Sequence, residues 1–295
     1  LESPSCSASG TLRAVVAGVD LTAMGRRVAD RSRIIAESTG VDLNLVHVLE
    51  PVGEAMIDPG LARLMREHQQ AQAEKLAAWC QERSSVDVNI DVVKGSPSWE
   101  LASRAKGAEL VVVGSSTIDA FTAGPVARRV ARMARSDALI VRRQPRVPYR
   151  RIIVGIDFSQ ASRIAVERSL TLFPEADITV LYSLPSRFDL VLSDAGLFNE
   201  ELDASRVSRL EAAADRMDAF AQPWSGIVRT LIADGPPTET IDEVVRRRNA
   251  DLIVVASRGA TATRMVLLGT VAEELVARSP CDVLVARCPS SFRRP

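Results

Sequence analysis

Twenty residues near the end of the chain, Ala256 to Leu275, carry residue types suited to holding a phosphate. Gly259 and Gly269 bracket nine residues, and Gly269 precedes Thr270 and Val271 at the expected start of a helix. Glycine lets backbone approach a ligand closely, while a first helical turn presents N–H groups without intrahelical partners at the positive end of the dipole. Together these form an anion cradle. The same glycines could instead only shape a strand-to-helix turn, and their spacing leaves both readings open. Asp157, which ends the apolar run IleIleValGlyIleAsp, either touches a ligand or caps the turn that follows it.

An earlier stretch, Gly114 to Arg129, has the same place in the pattern but different chemistry. Thr117 stands where Gly259 does, nine residues rather than twelve separate the outer positions (Gly114 to Gly124, against Ala256 to Gly269), and Pro125 replaces Thr270. Proline removes a backbone N–H that could face a phosphate. Asp20 and Val48 keep the positions of Asp157 and Ser183, so only the phosphate half looks dismantled.

Other reactive side chains lack companions. His47 falls in a strand, where a half-buried residue is expected, and His68 lies on a polar helix with no ligand in register. Asp20 and Asp157 have no second carboxylate or activated nucleophile at readable spacing, so no catalytic residue is assigned. Cys281, at the entry to the last strand, is expected to be a buried inert thiol. The four cysteines show no CxxC pair and suit a reducing cytoplasm. Lys plus Arg equals Asp plus Glu at 37 each, which gives no field toward nucleic acid, and aromatics at 4% offer few stacking platforms. Apolar runs such as Leu110 to Val113 are far shorter than the roughly 20 residues of a membrane span. No nucleic-acid or membrane partner is therefore expected.

The elements that position these residues repeat at a spacing of about 140: Asp20 recurs as Asp157, Gly95 as Gly235 and Gly124 as Gly269, shifts of 137, 140 and 145. Each copy is long enough for its own core. Strands are expected at 14–19, 43–49, 86–93, 110–113 and 138–141, then 152–156, 178–182, 227–233, 252–256 and 283–286. Amphipathic helices fill the gaps, at 26–38, 61–83, 98–106 and 126–135, then 161–172, 200–220, 237–247 and 271–279. Runs such as LeuValValVal, apolar on both faces, belong inside a parallel sheet covered by helices on both sides. The expected class is α/β, with two doubly wound five-stranded parallel sheets of order 3-2-1-4-5, whose ligand crevice lies between strands 1 and 4. The expected divisions are a Ser-rich tail (1–11), a first domain (12–143), an exposed basic connector (144–150), a second domain (151–288) and a closing tail (289–295).

The loop after strand four of the second copy, with its continuation ArgSerProCysAspValLeuValAlaArg, resembles the signature of the universal stress protein family over almost the whole chain. That signature reads Gly, two residues, Gly, nine residues, then Gly with Ser or Thr. The resemblance implies a stress-response protein that binds ATP with Mg²⁺ in its second domain, through Asp157, Ser183 facing the base, Ala256, Arg258, Gly259, Gly269, Thr270 and Val271. It also implies an intrachain pair of domains joined through their last strands, leaving open whether two chains pair again. Ala256 departs from the signature's first Gly. A methyl there costs on the order of 1 kcal/mol if the backbone has positive φ, and is harmless at negative φ unless it touches phosphate. The first copy is expected to be structural or to bind something other than ATP. No reaction is implied beyond slow ATP hydrolysis, and the alternative is an interaction module with both sites degenerate.

Overall fold

The computed structural model describes residues 14–50, 58–115, 123–184, 199–257 and 268–287. In the first half β1 (Val15–Gly18), α1 (Ala23–Thr39), β2 (Leu43–Leu49), α2 (Pro59–Gln81), β3 (Val88–Lys94), α3 (Pro97–Arg104), β4 (Leu110–Gly114), α4 (Pro125–Met133) and β5 (Asp137–Val141) follow one another. The second half repeats the order with β6 (Arg151–Ile156), α5 (Gln160–Leu172), β7 (Asp177–Leu184), α6 (Asn199–Ala221), β8 (Arg229–Asp234), α7 (Pro237–Arg248), β9 (Leu252–Ala256), α8 (Thr270–Ala277) and β10 (Asp282–Ala286).

Local chemistry sets the helix ends. Thr22 accepts from Met24 N–H, Asp58 from Gly60 and Leu61, and Ser159 from Ser162, each satisfying first-turn donors. Pro97, Pro125 and Pro237 open α3, α4 and α7, where a missing N–H costs nothing. Gly95 and Gly235 sit at φ 152° and 128° at the ends of β3 and β8, and each donates its N–H to the end of the neighbouring strand, at Leu49 and Leu184. Glycine alone tolerates that backbone comfortably.

Within each half the strand order is 3-2-1-4-5, all parallel, as the apolar runs predict. The two five-stranded sheets run on into one another through their last strands, giving one ten-stranded sheet, β3-β2-β1-β4-β5-β10-β9-β6-β7-β8. The halves join where β5 meets β10 antiparallel, with Leu139 opposite Leu284 and Ala138 opposite Val285. Every residue of both strands is buried. An uncovered edge of that kind leaves a row of unpaired backbone groups beside an apolar surface, and pairing removes both.

Two buried carboxylates pin this junction reciprocally. Asp137 of β5 accepts from Arg168 Nε of α5 at 2.5 Å and from the Arg287 N–H at 2.8 Å. Asp282 of β10 accepts from the Arg142 and Arg143 N–H groups at 2.7 and 3.0 Å and faces Arg31 of α1 at 3.8 Å. The connector breaks the symmetry. Tyr149 donates its hydroxyl to Asp282 at 2.5 Å, and the Arg31 guanidinium lies 3.8 Å above its ring. Burial raises both aspartic carboxyls, opposed by Arg168 at Asp137 and by Arg31 at Asp282. Desolvation and the adjacent Asp282 drive the Tyr149 phenol well above its usual range.

The connector is exposed at Gln144, Arg146, Val147, Pro148 and Arg150, but two of its residues turn inward. Pro145 and Tyr149 are buried, and so is the flanking Arg142, which donates to the Val276 carbonyl at 2.6 Å. Arginine marks solvent only when no buried acceptor is available, and here carbonyls and Asp282 supply acceptors.

Candidate functional site

The crevice of the second half opens where β6 and β9 end side by side. Asp157 follows β6, and its Oδ1 accepts from the Ser159 N–H at 3.0 Å and the Ser162 hydroxyl at 2.7 Å, closing the turn into α5. Phe158 has φ 63°, an unusual backbone for a side chain of that bulk. Its ring lies 4.4 Å from Tyr182 and 5.7 Å from Phe220, with the Arg216 guanidinium 4.4 Å away over the ring. Aromatic packing of this kind helps hold a strained residue in place. Low aromatic content does not predict such a cluster, because composition is silent about where side chains gather.

Ala256 ends β9 beside Ala286, and it is not among the residues at positive φ, so its methyl brings no backbone strain. The chain then crosses to α8: Ser257 N–H donates to Ala286, and Gly269 N–H donates to the Ser257 carbonyl at 2.8 Å. Gly269 caps α8 at φ −73°, Thr270 is exposed and Val271 half-buried, and the first intrahelical bond comes from Glu273. The N–H groups of Thr270, Val271 and Ala272 thus lack intrahelical acceptors. Ser183, on the other side of β6, is buried and donates its hydroxyl to the Gly235 carbonyl at 2.5 Å, with Thr240 Oγ1 at 3.4 Å. Arg258 and Gly259 lie outside the described residues. Of the expected set, the fold brings together Asp157, Ala256, Gly269, Thr270 and Val271, and ties Ser183 toward α7.

The first half encloses a cavity of about 380 Å³ at the equivalent place, between the ends of β1, β2 and β4 and the start of α4. Asp20 Oδ1 accepts from Thr22 N–H, the Thr22 hydroxyl and Gly25 N–H, which fixes the carboxylate at the cavity wall. A Cβ on Gly25 would fall 1.7 Å from the Asp20 carbonyl oxygen, so this close approach requires glycine. His47 also lines the space and is 7% exposed, and its Nδ1 lies 2.9 Å from the Val19 carbonyl. A carbonyl only accepts, so Nδ1 carries the proton. Nε2 is buried without a partner. The sequence gives one hint of this site: aligning the copies on β1 places His47 where the second half has Tyr182, and Gly25 where it has Ser162.

Cys281 and Cys80 are buried, and burial pushes their thiols up to about 12 and about 11. Inert thiols follow. Among the described residues, no three His, Cys, Asp or Glu side chains converge as a metal site, and no helix is long and apolar enough to cross a membrane.

The universal stress protein family profile matches residues 11–142 and again 148–287. Universal stress protein MJ0531 of Methanocaldococcus jannaschii is 27% identical over 143 residues, covering 48% of this chain and 84% of its own length. Universal stress protein Rv2623 of Mycobacterium tuberculosis is 23% identical over 291 residues, 92% of this chain and 96% of its own. The crystal structure of a universal stress protein from Archaeoglobus fulgidus superposes with a TM-score of 0.67 at 19% identity, covering 94% of this chain and 97% of that one. With two matched domains that share one strand order and one continuous sheet, the chain belongs to the universal stress protein family.

Proposed function

We propose that the second domain binds ATP or a related adenine nucleotide and that the paired domains act as a regulatory or interaction module in the cytoplasmic stress response. The observation that carries this reading is the start of α8. Three first-turn N–H groups without intrahelical acceptors, those of Thr270, Val271 and Ala272, follow Gly269 at the β6–β9 crevice where doubly wound sheets take ligands. Ala256 fits the same reading, because it is not at positive φ, where a non-glycine residue is strained.

In this reading the N–H groups of Thr270, Val271 and Ala272 orient phosphate, and Asp157 lines the nucleoside side. Mg²⁺, when bound with the nucleotide, screens the phosphate charge. No reacting group among the described residues stands out beside that position, so binding rather than turnover is the proposed activity.

Calorimetric titration of the full chain with ATP and Mg²⁺ tests it, alongside Gly269→Arg, which places a long side chain at the helix start. The expected result is about one site per chain, lost in the variant. A second reading has its own observation: Gly269 N–H, Asp157 Oδ1 and the Ser183 hydroxyl are already bonded within the protein, as in an interaction module with a degenerate site. Absence of heat with wild-type protein supports that module, and binding that persists in the variant moves the nucleotide away from α8.

A further inference from the structure

We propose that the first domain is a clamp that holds α8 in place for phosphate, with Arg142 as its positioning residue. This rests on the nucleotide reading of the second domain and gives a role to the domain whose own α4 opens on Pro125.

α8 spans eight residues, far fewer than the roughly 12–15 at which a helix holds together alone, so its position is set by what it packs against. Its last carbonyls show what that is. The Arg278 N–H closes the helix on the Glu274 carbonyl, which leaves those of Leu275, Val276 and Ala277. All three are met from the first domain. Arg142 Nη2 donates to Val276 at 2.6 Å and to Leu275 at 3.4 Å, and the Ala123 N–H donates to Ala277 at 3.0 Å. Arg142 is 2% exposed, so water is no ready substitute for its guanidinium. Toward the other end of α8, Glu273 pairs with Arg132 of α4.

The two halves do not grip each other equally. Arg287 repeats Arg142 at the end of the second copy and reaches the Ala131 carbonyl of α4 as Arg142 reaches Val276 of α8. Leu268, the counterpart of Ala123, makes no backbone bond to α4 among the described residues. The backbone tie thus runs to the helix whose first turn carries the open N–H groups. A helix of this length is about 12 Å long, so a grip on its last turn fixes where its first N–H groups point. Asp157 and Ser183, on the nucleoside side, are held instead within the second domain, by Ser162 and Gly235.

Full-length wild type, Arg142→Lys and Arg287→Lys are compared by calorimetric titration with ATP and Mg²⁺, and by amide hydrogen exchange without nucleotide. Lysine keeps the charge and loses the planar fork. Both substitutions weaken the junction, and only the first releases α8. Arg142→Lys is expected to lower ATP affinity about tenfold, as for one hydrogen bond to a charged group, and Arg287→Lys to change it by less than about twofold. Amides of α8 should exchange faster in Arg142→Lys, and those of α4 in Arg287→Lys. Should Arg142→Lys fail to fold in thermal melts, Ala123→Pro deletes the donor to Ala277 and is expected to weaken ATP in the same way. Equal losses in the two lysine variants would mean a general weakening of the junction and overturn the proposal, as would wild-type affinity in Arg142→Lys. Wild-type protein that gives no heat removes the nucleotide reading and this role with it, whereas unchanged α8 exchange in Arg142→Lys removes the clamp alone.

Discussion

The two halves share a strand order, repeated glycine turns at Gly95 and Gly235, and reciprocal aspartates at Asp137 and Asp282, yet they finish the strand-one crevice differently. In the first half Asp20 is held by backbone N–H from Gly25, and the space beside it is an apolar cavity edged with acceptors. In the second half Asp157 is held by the Ser162 hydroxyl, and Phe158 turns into a cluster of rings and guanidinium groups. A duplicated scaffold can therefore keep its junction while its two ligand faces diverge. Junction residues are constrained by partners in the other half, whereas the turns that hold Asp20 and Asp157 are closed by Gly25 and Ser162 of their own.

The largest effect is expected at the junction. Asp282→Ala leaves Arg31 buried without its counter-charge and removes the acceptor of three further donors, a loss of about 3–5 kcal/mol in denaturant unfolding. A loss below about 1 kcal/mol would show the junction to be dispensable and break the contrast with the crevices. The pH dependence sharpens it. A carboxyl raised by burial contributes stability that is fully present below the ordinary aspartate range and is lost as pH rises through its raised value. The advantage of wild type over Asp282→Asn is accordingly expected to narrow as pH rises above about 4. Widening over that range would contradict it.

Next in size is Gly25→Ala, because the new methyl meets backbone rather than a movable side-chain tip, at an expected cost of about 2–3 kcal/mol. Its counterpart Ser162→Ala should cost about 1.5 kcal/mol, the value of one hydrogen bond to a carboxylate. Equal losses in thermal melts would mean that the two aspartates are held with similar strength despite their different donors. Phe158→Leu copies the first half, where Leu21 follows Asp20, and should lose about 1 kcal/mol of ring contacts. A gain in stability would instead show that backbone strain at φ 63° outweighs the cluster. The smallest effect concerns the thiols. Cys80 and Cys281 should resist alkylation in native protein near neutral pH and react only on unfolding, as read by peptide mass mapping.

The strands and their order within each half were legible because LeuValValVal and LeuIleValVal are apolar on both faces, a pattern only a covered parallel sheet requires. The fusion of the sheets was half-visible. Order 3-2-1-4-5 puts the fifth strand at an edge, yet AlaLeuIleVal and ValLeuValAla read as interior strands, and that conflict is itself the sign that something covers them. Tyr149 was misread as solvated, since a proline-containing connector says nothing about a carboxylate 133 residues away. At the crevices, spacing was enough to put Asp157 at the end of β6 and Gly269 and Thr270 at the start of α8. The environment of His47 was not legible, because it depends on one ring nitrogen being taken by Val19 and the other left bare.

The β5–β10 pairing also has a history during synthesis. β5 is complete at Val141, but its partner is not made until Ala286, about 145 residues later. At roughly 5–20 residues per second that is about 7–30 s on the ribosome with an apolar edge unpaired. Arg31 must wait longer still for Asp282. The nascent first domain is thus the moment of greatest exposure to mispairing, and chaperone demand should track the translation speed of the second half rather than the stability of the finished chain.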